Sequence, residues 1–318
     1  MQHFKKVLIS IFALAGIVAA NSAEARAPVI AGIVFQQDQY FRTVEIGMRD
    51  AAKASGANLL EGNSDGKLEK ESQLIDTYIA RGVDAIVIAP LSAKGSINAI
   101  KKARAKGITV VTYGTSVDGN VSQASVMSSD RDLGVSTGKA AAEYLKTHVS
   151  NGKVKLAIVA FKPQLPVQSD ARVNGFLDQV RPQVDVVAQQ DAWLAEKAVA
   201  VVGDIITANP NLQMIFAANE GGTVGAVQAV KNAGKLGKIA VFGIDGTEQT
   251  ARAIMSSDGV LQAVTAQQPY LVGKQAVDAA IALIARKTVP PTVIVPSVLL
   301  SRTNPAEVKT FLAEIKKY

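Results

Sequence analysis

The feature of this sequence that most constrains its fold is an alternation of short apolar runs with longer amphipathic segments, which begins at Val29. Continuous runs rich in Val, Ile and Ala are typical of strands buried on both faces of a parallel sheet, and the segments between them have helical spacing. The run DAIVIA at 84–89 stops at Pro90, and the helix predicted after it ends at Gly107. The alternation predicts an α/β fold with parallel sheets.

The alternating pattern occurs twice along the chain. DAIVIAP at 84–90 corresponds to QMIFAAN at 213–219, and KGITVVTYGT at 106–115 corresponds to GKIAVFGIDGT at 237–247. Three further β-type stretches, at 121–127, 260–266 and 293–300, lie where one copy gives way to the other. We therefore predict two Rossmann-like, doubly wound parallel-sheet lobes joined by a three-strand hinge. The predicted lobes are residues 26–129 plus 268–296 and residues 130–267 plus 297–318.

Residues 1–25 precede this pattern and have the features of a secretory signal peptide. Lys5 and Lys6 form a basic start, 7–20 are apolar or small, and Ala-Glu-Ala at 23–25 offers a cleavage site before Arg26. The apolar run is shorter than the roughly 20 residues that span a bilayer. The sequence has no cysteine, so it offers no lipid acceptor, disulfide or thiolate metal site. We expect a periplasmic protein that is exported without a lipid anchor.

The net charge and the sequence motifs argue against several classes of function. The formal net charge of +7 would suit an anionic partner, but the densest basic cluster, at 101–106, lies on a predicted helix opposite its apolar face. We therefore expect no nucleic-acid partner, and a monomer. The chain has two histidines and neither a G-x-S-x-G nor a Walker A motif. We expect a protein that is not an enzyme and needs no metal or cofactor, although a carboxylate pair such as Asp38 and Asp245 leaves a glycoside-processing enzyme open.

Candidate binding residues stand at the carboxyl ends of the predicted strands, which is where open α/β sheets bind ligands. They are Asp38, Tyr40, Phe41 and Thr115 in the first lobe, Asp170, Trp193, Asn219 and Asp245 in the second, and Gln267 at a hinge stretch. Carboxylates and amides can engage neighbouring hydroxyl groups, and aromatic rings can pack against the C–H face of a sugar. This set predicts a neutral, hydroxyl-rich small molecule as ligand.

Each of these residues also has a purely structural interpretation. Asp245 and Asn219 could be helix caps, and Trp193 could belong to the core of its lobe. Tyr40 and Phe41 could pack on the helix that follows them. Arg172 could be a structural partner for a nearby carboxylate or a ligand contact.

Seven segments together resemble one known family. They are Tyr40-Phe41 ahead of a helix with Gly47, RGVDAIVIAP (81–90), SSDRDLG (128–134), ARVNGF (171–176), FAANE (216–220), VFGIDGT (241–247) and VTAQQPYLVG (264–273). In these segments the chain resembles the periplasmic sugar-binding proteins of bacterial ABC importers, the type I group typified by ribose-binding protein. The resemblance implies a ligand held between the lobes and delivered to a membrane permease. It also implies that Tyr40, Phe41 and Trp193 sandwich the ligand while Asp245, Asn219 and Gln267 read its hydroxyls.

The chain departs from the ribose binders at three places in the implied pocket. It has Gly114 and Thr115 where they carry an Asp-Arg pair, Ala89 where they carry Asn, and Asp170 where they carry Arg. The loss of two guanidiniums predicts a more acidic pocket. We therefore expect another pentose or hexose, or a linear polyol, in place of ribose. A receptor that presents a furanose-like signal to a chemoreceptor is the alternative.

Two substitutions follow from these expectations. If Asp245 and Asn219 gain their hydrogen-bond partners only from the ligand, Asp245→Ala and Asn219→Ala should abolish binding with little loss of fold.

Overall fold

A computed structural model describes residues 26–115, 117–148 and 152–317. The predicted signal peptide at 1–25 lies outside the described residues. Within them, no helix combines the length and the apolar character needed to cross a membrane.

The first part of the chain alternates strands and helices as predicted. Its elements are β1 (Val29–Val34), α1 (Gln39–Ser55), β2 (Asn58–Asn63), α2 (Leu68–Ala80), β3 (Ala85–Ile88), α3 (Ile97–Ala105), β4 (Thr109–Tyr113) and β5 (Ala124–Met127). The sequence predicts a helix from Ser92 to Lys106, but helix α3 begins five residues after Ser92, at Ile97. Ser92 and Ser96 explain the delay, because the Ser92 hydroxyl accepts from the Gly95 amide (3.0 Å) and the Ser96 hydroxyl from the Ser92 amide (3.3 Å). Such side-chain bonds favour a turn over a helix.

The middle of the chain repeats the alternation. Its elements are α4 (Asp130–His148), β6 (Val154–Ala160), α5 (Pro166–Val180), β7 (Val184–Asp191), α6 (Ala195–Ala208), β8 (Met214–Ala217), α7 (Glu220–Asn232), β9 (Ala240–Ile244), α8 (Glu248–Met255) and β10 (Leu261–Ala266). The last elements are α9 (Pro269–Ile284), β11 (Thr292–Ile294), β12 (Val298–Ser301) and α10 (Pro305–Glu314). Short 3-10 turns occupy 181–183 and 315–317.

The strands form two six-stranded sheets, one in each lobe. The first sheet has the order β11-β5-β4-β3-β1-β2, and the second has β12-β10-β9-β8-β6-β7. Every neighbouring pair is parallel except β10 with β12, which is antiparallel. Helices cover both faces of each sheet, with separate apolar clusters on the two sides. The structure confirms the predicted α/β fold with two doubly wound lobes.

The chain passes between the sheets three times, at residues 128–129, 267–268 and 295–297. The apolar stretch at 293–300 is therefore two strands, β11 in the first sheet and β12 in the second. Pro296 separates them, since proline has no amide proton to continue a ladder. The side chain of Gln268 ties two of the passages together, because its Nε2 donates to the carbonyl oxygen of Pro296 at 2.8 Å.

Close helix contacts at glycines fix the helices that begin at the cleft. A Cβ atom on Gly47 of α1 would lie 2.1 Å from the carbonyl oxygen of Tyr270 in α9, and one on Gly273 of α9 would lie 2.0 Å from that of Val44. Helices α4 and α5 meet in the same way at Gly134 and Gly175, 2.1 and 2.3 Å from backbone oxygens. Only glycine allows the backbones to approach this closely.

Candidate functional site

The two lobes face each other across a cleft of about 1550 Å³. The loops that follow the strands of both sheets line it, as expected for ligand sites of open α/β sheets. The volume exceeds the roughly 300–1,000 Å³ typical of small-molecule pockets, so a single small molecule would fill only part of the cleft. Eight of the nine predicted residues line the cleft, and these are Asp38, Tyr40, Phe41, Thr115, Trp193, Asn219, Asp245 and Gln267.

Asp245 presents a fixed carboxylate in this cleft. Its φ of +71° places it in the left-handed region, which Asp adopts more readily than most residues. Oδ1 accepts from Gln267 Nε2 at 2.8 Å, and Oδ2 accepts from Arg172 Nη1 at 3.0 Å. The side chain is 24% exposed. Because each carboxylate oxygen has two lone pairs, both can still accept a hydrogen bond from a ligand.

Arg172 lies beside Asp245 as a buried cation. Its Nε donates to Asp130 Oδ1 at 2.8 Å, and its Nη1 donates to the Ala218 carbonyl oxygen at 3.0 Å. Its guanidinium carbon stands 5.3 Å from the centre of the Phe161 ring, a cation–π distance. Burial alone would lower the pKa of Arg172, but the carboxylates of Asp245 and Asp130 outweigh it and raise the pKa above its ordinary value. Arg172 is therefore both a structural partner and a cleft-lining residue.

Asp170 is the predicted residue that does not line the cleft. Its carboxylate pairs with Lys162 at 3.1 Å, and its side chain is 47% exposed. Asp170 and Arg172 are two positions apart on α5, which separates them by about 200° around the helix axis. Arg172, and not Asp170, therefore lines the cleft from α5.

Asn219 lines the cleft with both ends of its amide already engaged. It caps α7, where its Oδ1 accepts from the Gly222 amide at 3.1 Å. Its Nδ2 donates to the carbonyl oxygen of Trp193 at 2.8 Å. This corrects the premise that Asn219 gains partners only from a ligand. Asp245 also has protein partners, so the same premise fails for it.

Aromatic side chains come to the cleft from opposite lobes. The rings of Phe35 and Tyr40 flank Phe41 at centroid distances of 4.5 and 5.2 Å, and Phe41 itself is buried. Across the cleft, Trp193 meets Phe161 edge to face at 5.3 Å. Burial and the nearby Asp245 carboxylate raise the pKa of Tyr40, so its hydroxyl stays a neutral donor. Partly exposed Tyr40 and Trp193 offer rings to a ligand on two sides.

Asp38, Thr115 and Glu220 also line the cleft. Asp38 caps α1, where its Oδ1 accepts from the Phe41 amide at 2.9 Å, and Thr115 follows Gly114 in a turn after β4. Burial raises the pKa of Glu220; a hydrogen bond from Thr247 lowers it, and the charges of Asp245 and Asp38 raise it again, so the net shift is upward. These carboxylates oppose the entry of an anionic ligand.

Comparisons with known proteins agree with this geometry. A family described as periplasmic binding protein domain matches residues 30–288. The chain is 33% identical over 272 residues to the ABC transporter periplasmic-binding protein YphF of Escherichia coli, covering 83% of this chain and 82% of that protein. It is 28% identical over 273 residues to the D-allose-binding periplasmic protein of Escherichia coli, covering 82% and 85%.

One solved structure is similar to this chain in both fold and sequence. It is an ABC transporter periplasmic solute binding protein from Actinobacillus succinogenes with bound D-allose, with a TM-score of 0.79 and 28% identity. The match covers 89% of this chain and 99% of that structure.

Proposed function

The chain belongs to the periplasmic binding protein domain family, and from that membership we propose that it captures a neutral sugar or polyol between its lobes and delivers it to the membrane permease of an ABC importer. The relatives named for sugars support the ligand class and the transporter. Location in the periplasm, a monomeric state, the absence of catalysis and the lobe limits predicted above belong to the same proposal.

The Asp245 carboxylate is the observation that carries the ligand class. Arg172 and Gln267 hold its two oxygens from one side and leave acceptor capacity on each. Two neighbouring ligand hydroxyls can donate to them, while Tyr40 and Trp193 supply rings for the C–H face of the same molecule. A ligand without hydroxyls would remove water from these oxygens on closure without replacing its hydrogen bonds, which weakens binding. The cleft is therefore expected to bind a polyhydroxylated ligand in preference to one without hydroxyl groups.

The test is thermal unfolding of residues 26–318 with a panel of sugars and polyols. D-allose, D-ribose, D-arabinose, myo-inositol and glycerol form the core of the panel, with nucleosides as a further class. A compound at ~100 times its dissociation constant should stabilise the protein by ~2.7 kcal/mol. If no member of the panel raised the midpoint of thermal unfolding, the proposal would be contradicted. In a separate incubation with glycosides, turnover would favour an enzyme.

Asp245→Asn tests the pocket directly. Asn keeps the size and tolerates the left-handed backbone, but it replaces one acceptor oxygen by a donor. We expect the dissociation constant of the sugar that stabilises the wild type to rise at least about tenfold, the weight of one charged hydrogen bond. Isothermal titration measures it. Asp170→Asn is the matched control, because that carboxylate faces away from the cleft, and equal losses in the two variants would disprove the assignment.

A further inference from the structure

The sequence contains four Asp-Gly dipeptides, at 65–66, 118–119, 245–246 and 258–259. In such a pair the glycine nitrogen can reach the aspartate side chain, because glycine has no Cβ to crowd the approach. We propose that Asp118 is a site of spontaneous isoaspartate formation and that hydrogen bonds of the fold protect the other three pairs. The inference is independent of the proposed function, since it concerns the backbone chemistry of one exposed turn.

The reaction requires only the chain and water. The Gly119 nitrogen forms a bond to Cγ of Asp118 and gives up its proton, while the side-chain carboxyl gives up its hydroxyl, so water leaves and a succinimide ring forms. Water then adds to one of the two ring carbonyls. Breaking the bond from nitrogen to Cγ restores aspartate. Breaking the bond from nitrogen to the main-chain carbonyl carbon of Asp118 gives isoaspartate, whose backbone runs through the former side chain.

Asp118 has the freedom that this attack requires. The residue is exposed, and its carboxylate has no hydrogen bond or ion pair with any residue that the structure describes. The Gly119 amide donates no hydrogen bond within the same part of the chain. The φ of Gly119 is +79°, a conformation that glycine adopts readily. The carboxyl group can therefore turn toward a nitrogen that is not held elsewhere.

Asp65 shows that exposure alone does not decide the matter. It is also exposed, but its carboxylate pairs with Lys70. The nitrogen that would attack it is engaged as well, because the Gly66 amide donates to the carbonyl oxygen of Phe35 at 2.7 Å. Both reacting groups would have to leave these partners before a ring could form.

The other two aspartates are held by their carboxylates. Asp258 Oδ1 accepts from the Val260 amide at 3.0 Å, and Oδ2 accepts from Ser256 Oγ at 2.8 Å and Lys231 Nζ at 2.6 Å. Asp245 has a side-chain donor on each oxygen, as described above. A carboxylate bound at both oxygens cannot turn toward the next amide without losing those bonds.

The turn that contains Asp118 is fixed at both ends. Val117 and Val121 are buried in one apolar cluster. The Asp118 amide donates to the carbonyl oxygen of Ala93 at 2.9 Å, and Arg104 Nη1 donates to that of Val121 at 3.1 Å. Isoaspartate adds one carbon to the backbone between these anchors, about 1.5 Å of extra chain. The tip must therefore rearrange, and we expect the Asp118 amide to exchange its proton faster afterwards.

Ageing of the purified protein tests the proposal. The protein is kept for several weeks at physiological temperature in a mildly acidic buffer, which favours the protonated carboxyl that loses water. Peptide mapping by mass spectrometry, with protein isoaspartate methyltransferase as a label, then measures isoaspartate at each Asp-Gly pair. We expect the level at Asp118 to be several times that at Asp65, Asp245 and Asp258. Equal levels at the four positions, or none at Asp118, would overturn the proposal.

Two controls separate the fold from the local sequence. In urea, where the protecting hydrogen bonds are absent, the four pairs should react at similar rates. The same preference for Asp118 in the unfolded chain would show that the fold does not protect the others. Asp118→Glu keeps the charge but would require a larger ring, which forms far more slowly. This variant should show no isomer at 118 and unchanged levels at the other three positions.

Discussion

At the scale of single residues, the cleft contains side chains that serve the fold as well as the site. Asn219 is the clearest case, since it caps α7 and also holds the Trp193 carbonyl oxygen. The backbone of the Trp193 loop also lies directly against α7. A Cβ on Gly221 would come within 2.1 Å of the same oxygen. Asn219 is therefore a structural residue as well as a cleft-lining one.

We predict that Asn219→Ala lowers the free energy of unfolding by about 2 kcal/mol, the sum of a lost helix cap and a lost internal hydrogen bond. Urea denaturation measures it. Asn304→Ala is the control, because Asn304 caps α10 with a longer bond of 3.4 Å at an exposed site, and it should cost about 1 kcal/mol or less. An unchanged free energy of unfolding for Asn219→Ala would show that the cap contributes nothing.

The sequence predicts which residues lie near the cleft better than it predicts where their side chains point. A residue that follows a buried strand directly, such as Asp245 or Asn219, has its location set by the sheet, so strand patterns are enough to find it. Asp170 lies inside a helix, where a shift of one or two positions changes the face that a side chain occupies. The ion pairs from Asp130 through Arg172 to Asp245 span 115 residues and leave no local signal in the sequence.

At the scale of the elements, glycine contacts decide where the helices lie. The structure confirms the alternation of strands and helices because a buried strand is a continuous apolar run and an amphipathic helix has a period of about 3.6 residues, and both patterns are strong. Tight crossings such as the one between α4 and α5 depend on glycines that are far apart in sequence. Their pairing follows only from the three-dimensional packing.

We predict opposite effects for two glycine-to-alanine substitutions within helices. Gly134→Ala should destabilise the protein by about 1–3 kcal/mol, since its Cβ would overlap the backbone of α5. Gly203→Ala in α6 has no atom within 4 Å of the added Cβ and should stabilise by up to about 1 kcal/mol. Thermal unfolding of the wild type and both variants in the same buffer measures the two changes in stability. A stabilised Gly134→Ala would mean that α4 and α5 can move apart without cost.

At the scale of the whole molecule, three passages of the chain connect the lobes on either side of the cleft. Two of them are linked by Gln268, whose amide reaches Pro296 across the hinge. A bond between two hinge segments restricts their independent twisting.

We predict that Gln268→Ala broadens the distribution of distances between the lobes without ligand. The sequence has no cysteine, so Lys94→Cys and Val167→Cys, both exposed, provide a unique pair of spin-label sites on opposite lobes. Pulsed electron paramagnetic resonance then measures the distance. Gln228→Ala, which removes a side-chain bond to Asn232 on α7, should leave the distribution unchanged. Identical distributions for Gln268→Ala and the wild type would exclude a restraining role.

The order of the strands along the chain has a consequence for biosynthesis. Strands β11 and β12 form an edge of the first and second sheets, respectively, and both come later in the chain than every other strand. A nascent chain that has not reached Thr292 lacks a strand from each lobe, so neither six-stranded sheet can be completed before that point of synthesis. The completion of both sheets therefore depends on one short segment, residues 292–301, which crosses from one lobe to the other.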